Sequence, residues 1–578
     1  MRKIISIYPF GRFDVNKKII LLISLILSSV ILCSCADSLV RENSSASNSV
    51  SSQVGKSAAD TIRLLYSSKD SLDPYTCVTE QNADLSQLIF DPLLIINNQY
   101  EIEYRLAENV IVDKNVCTIN LINAKFSDGT SVTADDIVFS FNKAKKSTTT
   151  RHSTALKYAV SAKAENTNTV IVTLEKNDPY FANLLTFPIM KKGSDELKDS
   201  DKQALVPIGA GRYVFDNQTA TLSENQYYYG RRSPIKSILT VDCPDNESVE
   251  QTINAGMVDH YFSDLSGNTI PKMNGNSVSI LQNRIVFLGI NSNHPQLSNS
   301  LFRQAISSAI NRQEICISAY FGNASPALGP VPTIWNLAEG LLTIEKTSNF
   351  DIAQKNIELA GFTEKNKDGF YLLKNNSPIT FSLLVNSNNS SRVAAANMIA
   401  KSLENIGLKI QINAVSNKQY YSLLRSGKYD LYLGEIRYED NMDIGGLIYL
   451  DSAFEFLPAE DTSSNGKNSS KKPSIGSSKK PSNSSKISSN EQNSEFDSKL
   501  SSIEEILAPG EITLTSADAY NGFYNGEYTL QDLITAFNAE LPVIPICFKN
   551  GMVIYSDRFG NGITPSATEL FHGIQYLK

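Results

Sequence analysis

Ala395-Ala-Asn-Met-Ile-Ala-Lys-Ser-Leu-Glu-Asn-Ile-Gly-Leu-Lys-Ile-Gln-Ile-Asn-Ala414 changes its apolar period in mid-course. Ala395, Ile399, Leu403 and Ile406 recur at helical spacing, and Gly407 is placed to stop the helix. Leu408, Ile410, Ile412 and Ala414 then alternate with Lys409, Gln411 and Asn413, the pattern of a half-buried strand. The alternation extends upstream. Leu301, Phe302, Ala305, Ile306, Ala309 and Ile310 mark one apolar helix face, and Asp351 is placed to cap a helix carrying Ile352, Ala353, Ile357 and Ala360, with Gly361 as its stop. Helices alternating with strands predict an α/β fold, a sheet with covering helices.

The first half reads more loosely. Thr61–Tyr66 and Thr169–Leu174 have strand composition, and Phe126-Ser-Asp-Gly129 is a turn. Thr133 followed three residues later by Asp136 has capping-box spacing ahead of Ile137, Val138 and Phe141. At 578 residues the chain exceeds what one core holds, so two or three domains are expected.

The N-terminus sets the expected compartment. Arg2, Lys3, Arg12, Lys17 and Lys18 precede an apolar run from Ile19 to Cys33, shorter than the roughly 20 residues a spanning helix needs. This is the pattern of an export signal. Leu32-Cys33-Ser34-Cys35 resembles a lipobox, which implies a signal peptide of residues 1–34 and acylation of Cys35. Residues 35–59, rich in Ser and Asn, read as a flexible tether. The formal charge is −7; the leader's net +4 leaves the remainder near −11 (−7 minus +4). An acidic exported body argues against nucleic acid or phosphate-rich partners. Cys77, Cys117, Cys243, Cys316 and Cys547 are odd in number and widely spaced, and read as core residues rather than bridges. Residues 462–490 are dominated by Ser, Asn and Lys without an acid or an aromatic; such a stretch cannot bury enough surface to order itself, and a disordered insertion is expected.

Enzyme and metal chemistry find little support. H-E-x-x-H, G-x-S-x-G and Walker A patterns are absent. His152, His260, His294 and His572 are scattered, so no metal site and no cofactor are expected.

Several segments, in order, resemble the large extracytoplasmic solute-binding proteins of ABC importers, the peptide- and nickel-binding family 5. Ser71-Leu-Asp-Pro-Tyr75 resembles an early turn of that family, and Phe126 to Phe141 its most recognisable motif. Pro207-Ile-Gly-Ala-Gly-Arg-Tyr213, Tyr228-Tyr-Gly-Arg231, Leu288-Gly-Ile-Asn291, Arg303-Gln-Ala-Ile-Ser-Ser-Ala-Ile-Asn-Arg312 and the loop from Phe321 to Pro332 follow. The resemblance implies a two-lobed, Venus-flytrap fold like that of the periplasmic binding proteins, with an extra subdomain in lobe I. Expected boundaries are 60–290 for lobe I, 291–545 for lobe II and 546–578 for the return to lobe I, with crossings near Leu288–Asn291 and Pro542–Lys549. It also implies a monomer with no covalent chemistry; the lipobox and the Lys-, Asn- and Ser-rich composition add the expectation of a lipid anchor outside a bacterium lacking an outer membrane. Such a protein captures oligopeptides or dipeptides by hinge closure and hands them to ABC permease subunits. A surface receptor for another small solute, such as a sugar or metal chelate, or for peptide signalling, is the alternative.

Peptide-binding members place an acid after a Tyr-Asp-Leu segment, where it pairs with the ligand's ammonium. Here Lys428-Tyr-Asp-Leu begins that stretch and two registers stay open, Asp440 and Asp443, with Asp443 favoured. Glu435 and Arg437 lie close by in sequence. Arg437 is suited to a ligand carboxylate, and Tyr438 and Trp335 are candidate aromatic walls.

Overall fold

The computed structural model describes residues 58–150, 152–265, 272–449 and 514–578. The leader, Cys35 and the 462–490 insertion lie outside the described residues.

Local signals build the first lobe. Thr133 N donates to Asp136 Oδ2 (2.9 Å), closing the capping box that starts the helix Ala134–Lys146. Gly129, at φ +84°, closes the preceding turn with its N–H donating to Phe126 O (2.9 Å). Thr61–Tyr66 pairs in parallel with Ser237–Asp242, in a sheet completed by Thr221–Glu224 and Tyr213–Asp216. A second, antiparallel sheet runs in the order Ala107–Asp113, Val116–Leu121, Thr169–Leu174, Ala159–Asn166. The glycines of Pro207–Tyr213 press against the end of the helix Glu80–Ile89. A Cβ on Gly209 would stand 2.0 Å from Ile89 O, and Gly211 N donates to that same carbonyl at 2.8 Å. No larger residue allows this backbone approach.

The second lobe is the α/β unit that the period change predicts. The helix Ser390–Asn405 is followed by Gly407, at φ +90°, and the strand Lys409–Val415. Thr380–Asn386 runs parallel to that strand and, through Leu383 and Leu384, to the start of Leu431–Arg437. One cap differs from expectation: Asn349, not Asp351, opens the helix Phe350–Leu359, its side chain accepting from Ile352 N. An N-cap sits outside the helix in extended backbone, whereas Asp351 falls within the first turn.

Two long antiparallel strands, Asn276–Ile290 and Val543–Tyr555, pass through both lobes. Ile280, Val553 and Tyr555 belong to the core built on Ile62, Phe126 and Ile238, whereas Val286, Leu288, Ile544 and Cys547 belong to the core of the 380–433 sheet. The pairing shifts register between Leu281 and Arg284, where Asn283 adopts φ 52°. A bulge therefore marks the passage from one core to the other, and bulges bend the strand that carries them. Cys77, Cys117, Cys243, Cys316 and Cys547 are free and buried. No helix among the described residues is long and apolar enough to cross a membrane.

Candidate functional site

The wall of the site is the strand Leu431–Arg437. Its ladder to Thr380–Asn386 ends at Tyr432, while its ladder to the crossing strand continues to Arg437. The tip of this strand borders a cleft of about 740 Å³ between the lobes. Glu435, Arg437, Tyr438 and Asp443 line it from lobe II, with Tyr520 of the helix Ser516–Asn525. Lys157, Tyr158 and Lys176, just outside the strands Ala159–Asn166 and Thr169–Leu174, line it from lobe I. Four of the sequence candidates are thus brought to one cavity, of a size usual for small-molecule sites.

Asp443 is held in place. Its Oδ1 accepts from Tyr520 Oη (2.7 Å) and from Gly445 N (2.9 Å) at the start of a short helix, and its Oδ2 faces Lys176 Nζ at 3.7 Å. The Lys176 ammonium stands 3.5 Å from the ring centroid of Tyr524, 4.2 Å from that of Tyr158 and 5.1 Å from that of Tyr520, and donates to Tyr520 Oη at 3.0 Å. Burial pulls its pKa down, against the opposing pull of Asp443 and Asp178. Burial, reinforced by Asp443, pushes the Tyr520 and Tyr524 phenols well up, so both are neutral donors.

Glu435 occupies a different setting. Arg392 Nη2 (2.8 Å), Arg284 Nη1 (3.5 Å) and Lys549 Nζ (3.8 Å) surround its carboxylate. Burial alone would raise its pKa, but Arg392, Lys549 and Arg284 together hold it below the usual carboxylate range. Arg437 is exposed at the cleft, in register opposite Arg284. Tyr438 is buried, its hydroxyl donating to Pro330 O at 2.5 Å.

Asp440 and Trp335 lie behind the cleft, where the lobes meet. Asp440 Oδ1 accepts from Asn283 Nδ2 of the bulge (2.9 Å), and its carbonyl accepts from Tyr100 Oη (3.1 Å) and Asn183 Nδ2 (3.0 Å). Trp335 is buried and meets Tyr180 edge-on with centroids 5.1 Å apart. Beside them Asn441 Nδ2 donates to Asp178 Oδ2 (2.7 Å), and burial pushes the Asp178 carboxyl up to about 6. Residues 176–183 of lobe I therefore meet lobe II by a cation, a carboxylate, a ring and an amide in turn. Sequence reasoning misses Lys176, Tyr158, Tyr520 and Tyr524. Tyr520 and Tyr524 sit four apart on a helix with Ala519 and Phe523, a spacing that reads as core.

The family model described as "Bacterial extracellular solute-binding proteins, family 5 Middle" matches residues 101–453, well over half of the chain. The chain belongs to that family. Among family 5 relatives, the oligopeptide-binding protein AppA of Bacillus subtilis (strain 168) is 24% identical over 331 residues, covering 54% of this chain and 59% of AppA. Matches to curated relatives span about half of those relatives' length. Solved structures extend the likeness of fold. One described as the nickel ABC transporter from Bacillus halodurans has a TM-score of 0.63 at 17% identity, covering 89% of this chain and 99% of its own. The ABC transporter substrate-binding protein CtaP from Listeria monocytogenes has a TM-score of 0.59 at 16% identity, covering 90% and 99%. These relatives are solute-binding proteins rather than enzymes. Among the described residues no three His, Cys, Asp or Glu side chains are grouped to hold a metal ion.

Proposed function

We propose that this family 5 protein is the lipid-anchored, extracytoplasmic component of an ABC importer, which captures oligopeptides or dipeptides between its lobes and delivers them to the permease. The observation that carries the reading is the cleft itself. A fixed carboxylate (Asp443), an exposed guanidinium (Arg437) and aromatic rings face one cavity of about 740 Å³, a set that matches the ammonium, carboxylate and side chains of a short peptide. The register shift of the paired crossing strands, Leu281–Arg284 against Lys549 and Asn550, supports a hinge at that bulge. A ligand that touches both lobes favours the closed arrangement by its differential affinity. Cys35 carries the lipid, and residues 36–59 let the lobes reach the permease from the membrane surface.

Binding tests the reading. Calorimetric titration with trialanine is expected to give saturable binding, which the substitution Asp443→Asn weakens by about thirtyfold, some 2 kcal/mol for a hydrogen bond to a charged group. N-acetyl-trialanine is expected to bind wild type and variant alike. Equal affinity of both proteins for trialanine removes Asp443 from the ligand site.

A further inference from the structure

We propose that Lys176 is a built-in occupant of an alkylammonium seat, so that a ligand's ammonium enters this corner of the cleft only by displacing it. The ligand part of this inference rests on the peptide reading above; the seat itself does not.

The seat is a cage of three phenol rings, Tyr158, Tyr520 and Tyr524, closed by the Asp443 carboxylate. Rings around a cation, with an acid at the rim, are the chemistry that selects an alkylammonium over a neutral group. The cage is split between lobes: Tyr158 belongs to lobe I, and Tyr520, Tyr524 and Asp443 to lobe II. It forms only when the lobes meet, and Lys176 reaches it from lobe I. The lysine thus acts as an internal ligand that joins the two halves.

Its fit is incomplete, which makes it displaceable. Nζ is 3.7 Å from Asp443 Oδ2, longer than a direct hydrogen bond, and it donates instead to Tyr520 Oη at 3.0 Å. Burial disfavours its charge, and a four-carbon stem loses rotamer freedom when it is held. A ligand ammonium approaching Oδ2 to hydrogen-bond distance has the better contact. Lys176 then swings out, and the apparent affinity is the intrinsic affinity reduced by the share of protein in which Lys176 holds the seat. Lys176 is in this sense a specificity-determining residue: it excludes groups that match the cage poorly.

The test uses the full chain and n-butylammonium chloride, a soluble analogue of the lysine side chain. The expected result is a saturable rise of about 2 °C in the Tm of Lys176→Ala, no rise for wild type, none with n-butanol, and none once Asp443→Asn is added. Lys176→Met, which keeps the stem, guards against a folding defect and is expected to bind trialanine about tenfold more tightly than wild type, with N-acetyl-trialanine unchanged. Rescue by butylammonium without any trialanine binding supports the seat and removes the peptide reading. Trialanine binding that Lys176→Met leaves unchanged, with no butylammonium effect on Lys176→Ala, overturns the seat and leaves the peptide reading standing. A butylammonium effect equal in wild type and variant, or equal to that of butanol, also overturns it.

Discussion

Glu435→Gln is expected to lower the unfolding free energy by about 3 kcal/mol, because removing one partner of a buried ion cluster leaves the others uncompensated. Arg392 and Lys549 are largely buried around this carboxylate, and Arg284 adds a third positive charge from the crossing strand. The carboxyl pKa is depressed in the folded protein. Its contribution is therefore present above the unfolded value of about 4.3 and is lost as pH falls through the folded value. Denaturant melts of wild type and variant should differ most at neutral pH and converge in acid. A Glu435→Gln protein with unchanged stability that no longer binds trialanine would assign Glu435 to the ligand instead.

Arg312→Ala is expected to cost about 4 kcal/mol. The guanidinium is fully buried, donating to Pro545 O (2.8 Å), Ser307 O (3.0 Å), Glu345 O (3.1 Å), Ile310 O (3.4 Å) and Ser307 Oγ (2.8 Å). Two effects oppose each other. Burial pulls its pKa down to about 9, so the charge itself is costly there, but its removal takes a donor from buried carbonyls such as Pro545 O and Ile310 O and opens a cavity. With each orphaned carbonyl worth about 1–3 kcal/mol, the second effect wins. Urea unfolding measures it, and wild-type stability in the variant would contradict the assignment. Arg303, at the other end of the same motif, works alike, donating to Glu540 O, Leu297 O and Ser298 O. This motif ties the helix Ser300–Ala309 to its surroundings and takes no part in the cleft.

Those contacts show what is legible in sequence. Period and punctuation gave the lobe II helices and strands, since Gly407 and the alternation after it act within a few residues. The Thr133–Asp136 box is local in the same way. The cap falls on Asn349, two residues before Asp351, because both carry a good acceptor and local pattern does not rank them. The site divides along the same line. Glu435, Arg437, Tyr438 and Asp443 sit within nine consecutive positions, so one motif finds them together. That motif does not reveal that Glu435 is met by Arg392, Arg284 and Lys549, which arrive from three other elements. Nor does it foresee Lys176 in a cage whose rings come from Tyr158, Tyr520 and Tyr524. Glu435 meets Arg392 across 43 residues and Lys176 meets Tyr520 across 344; such contacts depend on how separate elements and lobes dock, and no periodicity carries that information.

Native mass spectrometry of the purified protein decides whether a peptide occupies the cleft. The expected result is added mass on the folded chain that departs on denaturation and sequences as short peptides. A chain of bare mass, with no Tm shift against a library of di- to hexapeptides, would contradict it.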